Sequence, residues 1–314
     1  MTTDLGRISN GRFSHDLLLH EREDELVDGA RVFVDQGLTS GGEVIVHGTE
    51  PQVANLRAAL GTHPRLQYAL TCDLVQCSFG TLFAAQRRLA ESPEPLELWA
   101  VGIRPPSDDF APGSPWARVE SLLNEVLGAH AFHALCTYDT RTVPAPSLAV
   151  GKATHPHVSN GRVRATNPDY QQPADFLAHP LAAVPVPPDV EPVATTSLHD
   201  LRDLKRARRL VERHAARSAL PRDTTQGLVT ALNEVLVNAL VHGRPPAQLR
   251  LWVEPAKLTC EVVDAGPGIP DPLSGCRYPE PSGPLGLWVA RQSCEDVVIR
   301  NLPGGGCSVL LVTP

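Results

Sequence analysis

A chain of 314 residues with 42% hydrophobic and 20% charged residues is long enough for about two globular domains, each with its own core. The formal net charge of −7 argues against nonspecific nucleic-acid binding, which needs a positive surface field. Seven scattered cysteines without CxxC spacing indicate reduced thiols rather than a disulfide framework or a zinc site. The sequence contains no signal segment and no run of eighteen apolar residues, so we expect a soluble, cytoplasmic protein that does not contact a membrane.

The first half of the chain alternates predicted helices and strands. Apolar spacing predicts helices over 15–37, 53–60, 81–90 and 116–127, and strands over 43–47, 66–70, 96–103 and 132–138. This alternation predicts an α/β domain with a largely parallel sheet. The segment after the 43–47 strand lacks the GxxxxGK[ST] pattern, which argues against a P-loop ATPase.

Several short motifs in this half resemble the MEDS sensory domain over roughly residues 12–158. They are Phe13-Ser14-His15-Asp16-Leu17, Phe33-Val34-Asp35-Gln36-Gly37, Glu120, Leu123-Asn124-Glu125, Leu135-Cys136-Thr137-Tyr138-Asp139 and Thr154-His155-Pro156. The resemblance implies a RecA/KaiC-like parallel sheet with helices, without a working nucleotide loop, that senses an unknown small-molecule or redox signal. Ile103-Arg104-Pro105-Pro106 departs from the family, whose members commonly carry an acidic residue and a tryptophan there, so a different ligand is expected.

Five side chains are candidates for a sensory pocket at the carboxyl ends of the strands, where open α/β sheets usually bind ligands. They are His15, Glu125, Cys136, Tyr138 and Asp139. Ordinary structural roles remain open for them. Asp139 suits a turn, Cys136 suits a small core position, and His15 suits a helix start.

Proline density marks the boundary between the halves. Seven prolines fall between residues 167 and 193, which predicts an extended, semi-rigid connection without a helix or a central strand. The predicted organisation is therefore a sensory domain over 1–158, a proline-rich linker over 159–194 and a second domain over 195–314.

The second half opens with Ser197 and Asp200 spaced as a capping box before a helix whose other face is basic. That face is either solvated or a docking surface for an acidic partner. The next predicted helix, ending near Val241, is apolar on every side, yet it carries Glu234 and Asn238 four residues apart on one face. This pair is either a buried functional pair or part of a half-exposed polar stripe.

Two predicted strands, over 249–254 and 258–263, lead to Asp264-Ala265-Gly266-Pro267-Gly268, and Gly283-Pro284-Leu285-Gly286-Leu287 then opens another helix. The order E-x-x-x-N, D-x-G-x-G and G-L resembles the N, G1 and G2 boxes of the GHKL ATPases. The resemblance implies an α/β-sandwich GHKL (Bergerat) fold that binds ATP and Mg²⁺.

The resemblance also implies a role for each box residue. Glu234 is the expected general base, Asn238 the Mg²⁺ ligand and Asp264 the acceptor for the adenine amino group. The other expected nucleotide-binding residues are His242, Gly266, Gly268, Gly283, Gly286 and Leu287. Pro284 departs from the usual Gly-x-Gly-Leu pattern and removes one backbone N–H, which places phosphoryl transfer in doubt.

His199-Asp200-Leu201-Arg202 looks like a histidine-kinase phosphorylation box, but only the positions between 199 and 234 are available for a dimerisation hairpin. One helix fills that space, as in the anti-sigma serine kinase branch. The leading hypothesis is therefore a transcription regulator that acts as an anti-sigma factor. It would sequester a sigma factor and be released by a STAS-domain antagonist, whose serine it would phosphorylate with ATP.

A catalytically inactive, partner-binding pseudokinase is the alternative, and a two-component histidine kinase is disfavoured. The sequence leaves open whether the protein forms a homodimer.

Overall fold

The computed structural model describes residues 13–71, 78–104, 111–178, 190–279 and 285–313. The chain divides into two compact units, one ending at Ala183 and the other starting at Val184. None of the helices in the described ranges has the length and apolar character that crossing a membrane requires. The five cysteines in these ranges are buried, and Cys72 and Cys77 lie outside them.

The N-terminal unit is a seven-stranded sheet with interspersed helices. Its elements are β1 (Phe13–His20), α1 (Glu23–Ser40), β2 (Glu43–Gly48), α2 (Glu50–Leu60), β3 (Leu66–Leu70), α3 (Ser78–Glu91), β4 (Leu98–Ile103), α4 (Pro115–Val126), β5 (Phe132–Asp139), α5 (Ala145–Thr154), β6 (His157–Ser159), β7 (Arg164–Thr166) and α6 (Pro173–Ala178). The strand order is β3-β2-β4-β5-β1-β6-β7, parallel except between β6 and β7. The predicted α/β class with a largely parallel sheet is confirmed; the RecA/KaiC-like assignment stays a prediction.

Apolar clusters lie on both faces of this sheet. Adjacent strand residues point to opposite faces. Leu18 packs in a cluster with α1 and α2, whereas Leu17 packs with Cys136 and Tyr138 in a second cluster. Because both faces of the sheet are covered, nearly every residue of the central strands β1 and β5 is buried.

The start of the chain differs from the prediction. Residues 15–37 were expected to form one helix, but Phe13–His20 is the strand β1 and the helix begins at Glu23. The prediction failed because three consecutive leucines fit any period. A strand buried on both faces also lacks the apolar–polar alternation that identifies a strand with one face in solvent.

The predicted linker is also partly wrong. Within 159–194 the structure contains β7 and α6, and Phe176 of α6 packs with Ala117 of α4 and Val150 of α5. Pro173 is the first residue of α6, a position where the missing N–H of proline costs nothing.

β7 is tied to β1 by an ion pair. Arg164 donates to both carboxylate oxygens of the fully buried Asp16, with its Nε 2.9 Å from Oδ2 and its Nη2 2.9 Å from Oδ1. Residues placed in the linker by the sequence therefore complete the N-terminal unit.

The C-terminal unit is a five-stranded antiparallel sheet with helices. Its elements are β8 (Ala194–Leu198), a 3-10 turn (Leu201–Asp203), α7 (Leu204–Ala215), α8 (Arg222–Val241), β9 (Ala247–Glu254), β10 (Lys257–Asp264), α9 (Gly286–Ser293), β11 (Asp296–Asn301) and β12 (Cys307–Val312). The strand order is β11-β12-β10-β9-β8. One apolar cluster joins the three helices to the sheet, for example Val211, Leu232 and Ala290 with Leu249. The helices therefore form one layer over one face of the sheet.

The expected capping box at Ser197 is wrong. Ser197 pairs with Gln248 inside the strand β8, and Asp200 instead accepts a hydrogen bond from the Arg202 N–H at 2.8 Å to start the 3-10 turn. The strand takes Ser197 because its neighbours Thr195 and Thr196 are β-branched and favour extended backbone.

Candidate functional site

The C-terminal unit holds a cavity of about 570 Å³ bordered by α8, the start of α9 and the loop after β10. Apolar side chains such as Val235, Val262 and Val309 form part of its wall. Six predicted site residues also line it, namely Asn238, His242, Asp264, Gly268, Gly286 and Leu287, together with residues that were not predicted, such as Asp271, Arg277 and Tyr278. An enclosed apolar surface with a few convergent polar groups is typical of a small-molecule site.

Glu234 and Asn238 lie one turn apart on α8, and both side chains are half-buried. The polar pair is thus a half-exposed stripe on a helix whose Leu232, Val235 and Leu236 are in the core. The helix ends at Val241, and the exposed His242 follows, its N–H donating to the Asn238 carbonyl at 2.8 Å.

Gly286 brings the start of α9 against this pair. A methyl group added at Gly286 would lie 3.0 Å from Glu234 Oε2 and 3.4 Å from Asn238 Nδ2. The absence of a side chain therefore keeps space beside the carboxylate and the amide. The backbone amides at the start of α9 lie at the same end of the cavity as Glu234.

Asp264 ends β10 and lies half-buried on the cavity wall. Its Oδ1 accepts a hydrogen bond from the Gly266 N–H at 2.7 Å, which leaves Oδ2 outside this contact. A methyl group at Gly266 would lie 2.5 Å from the Gly243 Cα, and one at Gly243 would lie 2.6 Å from Asp264 Oδ1. Glycine at both positions lets the two segments approach closely enough to orient the carboxylate.

The loop after Asp264 is held from behind by residues that the sequence analysis did not identify. Asn301, the last residue of β11, bonds Ile269 twice, and the Gly306 N–H donates to the Gly266 carbonyl at 2.8 Å. Gly304, Gly305 and Gly306 all have positive φ, which glycine adopts without strain. Three consecutive glycines before the last strand are the sequence signal that could have indicated this tight turn.

Gly283, Pro284 and Leu287 are the remaining predicted positions. Gly283 and Pro284 lie outside the described residues. Leu287 is half-buried and packs against the core, so it anchors α9 beside the cavity.

Burial, assisted by the nearby Asp264 carboxylate, raises the pKa of Cys307 on the cavity wall to about 11.

In the N-terminal unit, the structure separates the five sensory candidates. His15 and Cys136 are buried on the same sheet face, 3.6 Å apart from Nε2 to Sγ. Tyr138 is buried beside His155, and burial raises its pKa to about 12. Asp139 is partly exposed and pairs with Arg141 at 2.7 Å. Glu125 is half-buried and does not belong to the group of side chains that surrounds His15 and Cys136.

The expected location at the carboxyl ends of the strands is thus wrong for His15, the third residue of β1. Asp139 does end β5, but its partner is a local arginine, as in an ordinary turn. The residues grouped with His15 and Cys136 are instead Glu120 and His155. Both stood in the sensory-domain motifs, but neither was assigned a role. Burial, with His15 nearby, lowers the pKa of His155 well below its ordinary value.

The C-terminal unit has a layer of helices on an antiparallel sheet, with acidic, amide and glycine residues around one cavity. This architecture agrees with the protein family that the segment matches. Residues 198–313 match the model of the histidine kinase-like ATPase domain, so this segment is a GHKL-type domain. No curated protein matches the chain.

Solved structures similar to this chain include proteins from three bacteria. The RsbU and RsbW domains of Rv1364c from Mycobacterium tuberculosis share 17% identity with a TM-score of 0.30, and the match covers 41% of this chain and 33% of that one. The histidine kinase domain of the blue-light activated histidine kinase from Erythrobacter litoralis EL346 shares 24% identity with a TM-score of 0.26, over 40% of this chain and 71% of that one. The histidine kinase AdeS from Acinetobacter baumannii shares 14% identity with a TM-score of 0.24, over 38% of this chain and 66% of that one. The chain spans one third of the length of the Mycobacterium tuberculosis structure.

Proposed function

We propose that the C-terminal unit binds Mg-ATP and that the chain is an anti-sigma-type regulator controlled by its N-terminal sensory unit. The observation that carries this proposal is the arrangement around one cavity. Asn238 and Gly286 line it, with Glu234 beside Gly286, and Asp264, oriented by the Gly266 N–H, lies elsewhere on the wall. Side chains at these glycine positions would occupy the space beside the polar groups. Their absence suits a nucleotide, whose phosphates must come close to the backbone amides.

Each residue has a defined task in this proposal. Asp264, held through Oδ1, keeps Oδ2 to accept a hydrogen bond from the adenine amino group. Asn238 offers a neutral amide oxygen, which is a ligand type that suits Mg²⁺, and the backbone amides at the start of α9 would bind the phosphates. Glu234 orients and deprotonates the attacking hydroxyl as general base. ATP bound there would supply the phosphoryl group, and Mg²⁺ would neutralise part of the phosphate charge.

The histidine-kinase alternative is disfavoured by the position of His199. This residue is exposed in the connection between β8 and the 3-10 turn, and its N–H donates to Asp203 Oδ2 at 2.8 Å. Between His199 and α8 the chain forms a single α-helix, α7. A dimerisation hairpin would need two long helices in that interval. A single helix fits the anti-sigma serine kinase layout better.

The exposed basic face near α7 supports an acidic protein partner. Arg202, Lys205 and Arg209 are exposed. Arg202 pairs with the nearby carboxylate of Asp200, and Arg206 pairs with Asp203 and also donates to the Ser197 carbonyl at 2.8 Å. We propose that this face contacts a sigma factor or a STAS-domain antagonist, whose serine is the phosphoryl acceptor.

A catalytically inactive scaffold is the second candidate, because Pro284 removes one backbone donor from the second glycine box. In that case the domain recognises partners, and nucleotide has at most a structural role.

Calorimetric titration of Mg-ATP into the full chain tests the binding step. Asp264→Asn and Asn238→Ala should each weaken binding at least about tenfold, the effect of losing one charge-assisted contact. Asn233→Ala is the matched control, because Asn233 lies on the same helix but contacts Arg208 instead. No heat and no thermal shift at millimolar nucleotide would refute the nucleotide site.

A second experiment separates catalyst from scaffold. With a STAS partner and radiolabelled ATP, Glu234→Ala should abolish serine phosphorylation while partner binding in a pull-down persists. A scaffold would give no phosphorylation even with the unaltered chain.

A further inference from the structure

Four side chains that could ligate a metal converge inside the N-terminal unit. His15 lies on β1 and Cys136 on the adjacent β5, on the same face, because Leu17 pairs with Cys136 and His15 is two residues earlier. Glu120 reaches them from α4, and His155 follows α5 directly. All four are at most 4% exposed, which is unusual for polar groups that lack a shared function.

Three of the separations between the ligand atoms match those around a tetrahedral ion. His155 Nε2 lies 3.3 Å from Glu120 Oε2, His15 Nε2 lies 3.4 Å from the same oxygen, and His15 Nε2 lies 3.6 Å from Cys136 Sγ. All four atoms lie within 4.8 Å of one another. Zinc bonds to nitrogen, oxygen and sulfur place neighbouring ligand atoms roughly 3.3 to 3.8 Å apart.

The hydrogen bonds around the cluster fix the histidine tautomers. Asn124 Nδ2 donates to the Ser121 and Thr154 carbonyls, so its Oδ1 must accept from His15 Nδ1 at 3.1 Å. His155 Nδ1 lies 2.7 Å from the Gly151 carbonyl, which can only accept. Each neutral ring therefore presents the lone pair of Nε2 to the centre, as in metal-binding histidines.

The carboxylate is oriented in the same way. Trp116 Nε1 donates to Glu120 Oε1 at 2.9 Å, and Arg104 contacts this same oxygen. In the part of the chain that the structure describes, neither Glu120 Oε2 nor His155 Nε2 has a hydrogen-bond partner. Two acceptors thus face each other at 3.3 Å in a buried centre, an arrangement that a cation stabilises.

We propose that His15, Glu120, Cys136 and His155 bind one divalent ion of the zinc class, with two imidazole nitrogens, one thiolate and one carboxylate oxygen as ligands. This donor set selects zinc over magnesium or calcium, which prefer all-oxygen sites. On binding, the Cys136 thiol loses its proton to solvent and the sulfur forms the bond to the metal. Arg104, 3.6 Å from Cys136 Sγ, then donates to the thiolate, and Trp116 and Asn124 hold the other ligands.

A cavity of about 340 Å³, lined by Cys136, Arg104 and Trp116, reaches the thiolate side of the cluster. It provides an entry path for the ion, a requirement for any buried metal site. This inference concerns the N-terminal unit and is independent of the nucleotide site.

Metal analysis and X-ray absorption of the full chain purified with zinc test the proposal without any substitution. We expect one zinc per chain, one sulfur ligand at about 2.3 Å and nitrogen or oxygen ligands at about 2.0 to 2.2 Å. Less than a tenth of an equivalent after zinc loading and gel filtration would overturn it. A coordination shell without sulfur, or with more than one sulfur, would do the same.

Cobalt substitution then assigns the ligands. The unaltered chain should show tetrahedral d–d bands and a thiolate-to-cobalt charge-transfer band. Cys136→Ser should lose only the charge-transfer band, and His155→Gln should weaken binding at least about 100-fold. Asn124→Ala, a positioning variant, should weaken it about tenfold or more. The matched control Cys260→Ser alters a buried thiol of the other unit and should leave both bands unchanged. A charge-transfer band that survives Cys136→Ser in a folded chain would refute the assignment.

Discussion

Asn301 and Ile269 exchange two hydrogen bonds. The Ile269 N–H donates to Asn301 Oδ1 and Asn301 Nδ2 donates to the Ile269 carbonyl, each at 2.8 Å. The end of β11 thereby holds the loop that carries Gly266 and Gly268. We expect Asn301→Ala to weaken Mg-ATP binding roughly fivefold, as about 1 kcal/mol of loop ordering is lost. Asn160→Ala is the control in calorimetry, because Asn160 braces a loop of the N-terminal unit in a similar way. Equal affinities for the two variants would contradict the bracing role.

Gly306 and Gly304 form a matched pair for a stability test. Both have positive φ, but a methyl group at Gly306 would collide with the Asp264 carbonyl oxygen, whereas one at Gly304 would meet nothing within 4 Å. Gly304→Ala should therefore cost about 1 to 2 kcal/mol of conformational strain, and Gly306→Ala clearly more. Differential scanning calorimetry of the full chain should show the larger drop in Tm for Gly306→Ala. Similar drops would mean that the Asp264 contact relaxes freely.

Gly286→Ala should separate stability from function. Alanine favours a helix by up to about 1 kcal/mol over glycine, so α9 should not be destabilised. The added methyl group lies 3.0 Å from Glu234 Oε2 and displaces this carboxylate. We expect an unchanged or raised Tm together with a fall in the proposed phosphoryl transfer to a STAS-domain protein. Unimpaired transfer would show that Glu234 is not needed at its present position.

Pro284→Gly tests the departure in the second glycine box. The substitution restores a backbone N–H, and a hydrogen bond to a charged phosphate is worth roughly 1.5 to 3 kcal/mol. Mg-ATP affinity in calorimetry should rise about tenfold. An unchanged affinity would indicate that this position does not contact the nucleotide.

His20 should make the stability of the N-terminal unit depend on pH. Burial lowers its pKa below 6.5, and the carboxylates of Asp139 and Glu25 only partly offset this. Because the unfolded chain binds this proton at a higher pH than the folded unit, stability falls as the pH drops through 6.5 towards the folded value. His20→Gln should reduce this loss in urea unfolding at pH 7.5 and 5.5, and His199→Gln, at an exposed site, should not. Parallel curves for all three proteins would contradict the shifted pKa.

The sequence predicted the elements around the C-terminal cavity well, because short motifs there carry local backbone rules. The helix with Glu234 and Asn238 and the strand ending at Asp264 lie where periodicity placed them. The brace from Asn301 could not be predicted, because a side chain that bonds a loop 32 residues away has no local pattern.

The N-terminal cluster was missed for a related reason. Cysteine spacing argued against zinc, since that rule detects paired cysteines and not one cysteine joined to distant histidines. His15 and His155 are 140 positions apart (155 − 15), and only the pairing of β1 with β5 and β6 brings them together. Predicting β1 as a helix removed the register that would have shown this.

The ion pair between Asp16 and Arg164 determines where the N-terminal unit can be separated from the rest. A fragment ending at residue 158 would keep the fully buried Asp16 carboxylate and lose its guanidinium partner. An uncompensated buried charge costs about 3 to 5 kcal/mol, a large share of the stability of a single domain. The smallest autonomous N-terminal fragment therefore extends through Ala178, because Phe176 of α6 also packs in its core, and shorter truncations would report on a misfolded chain.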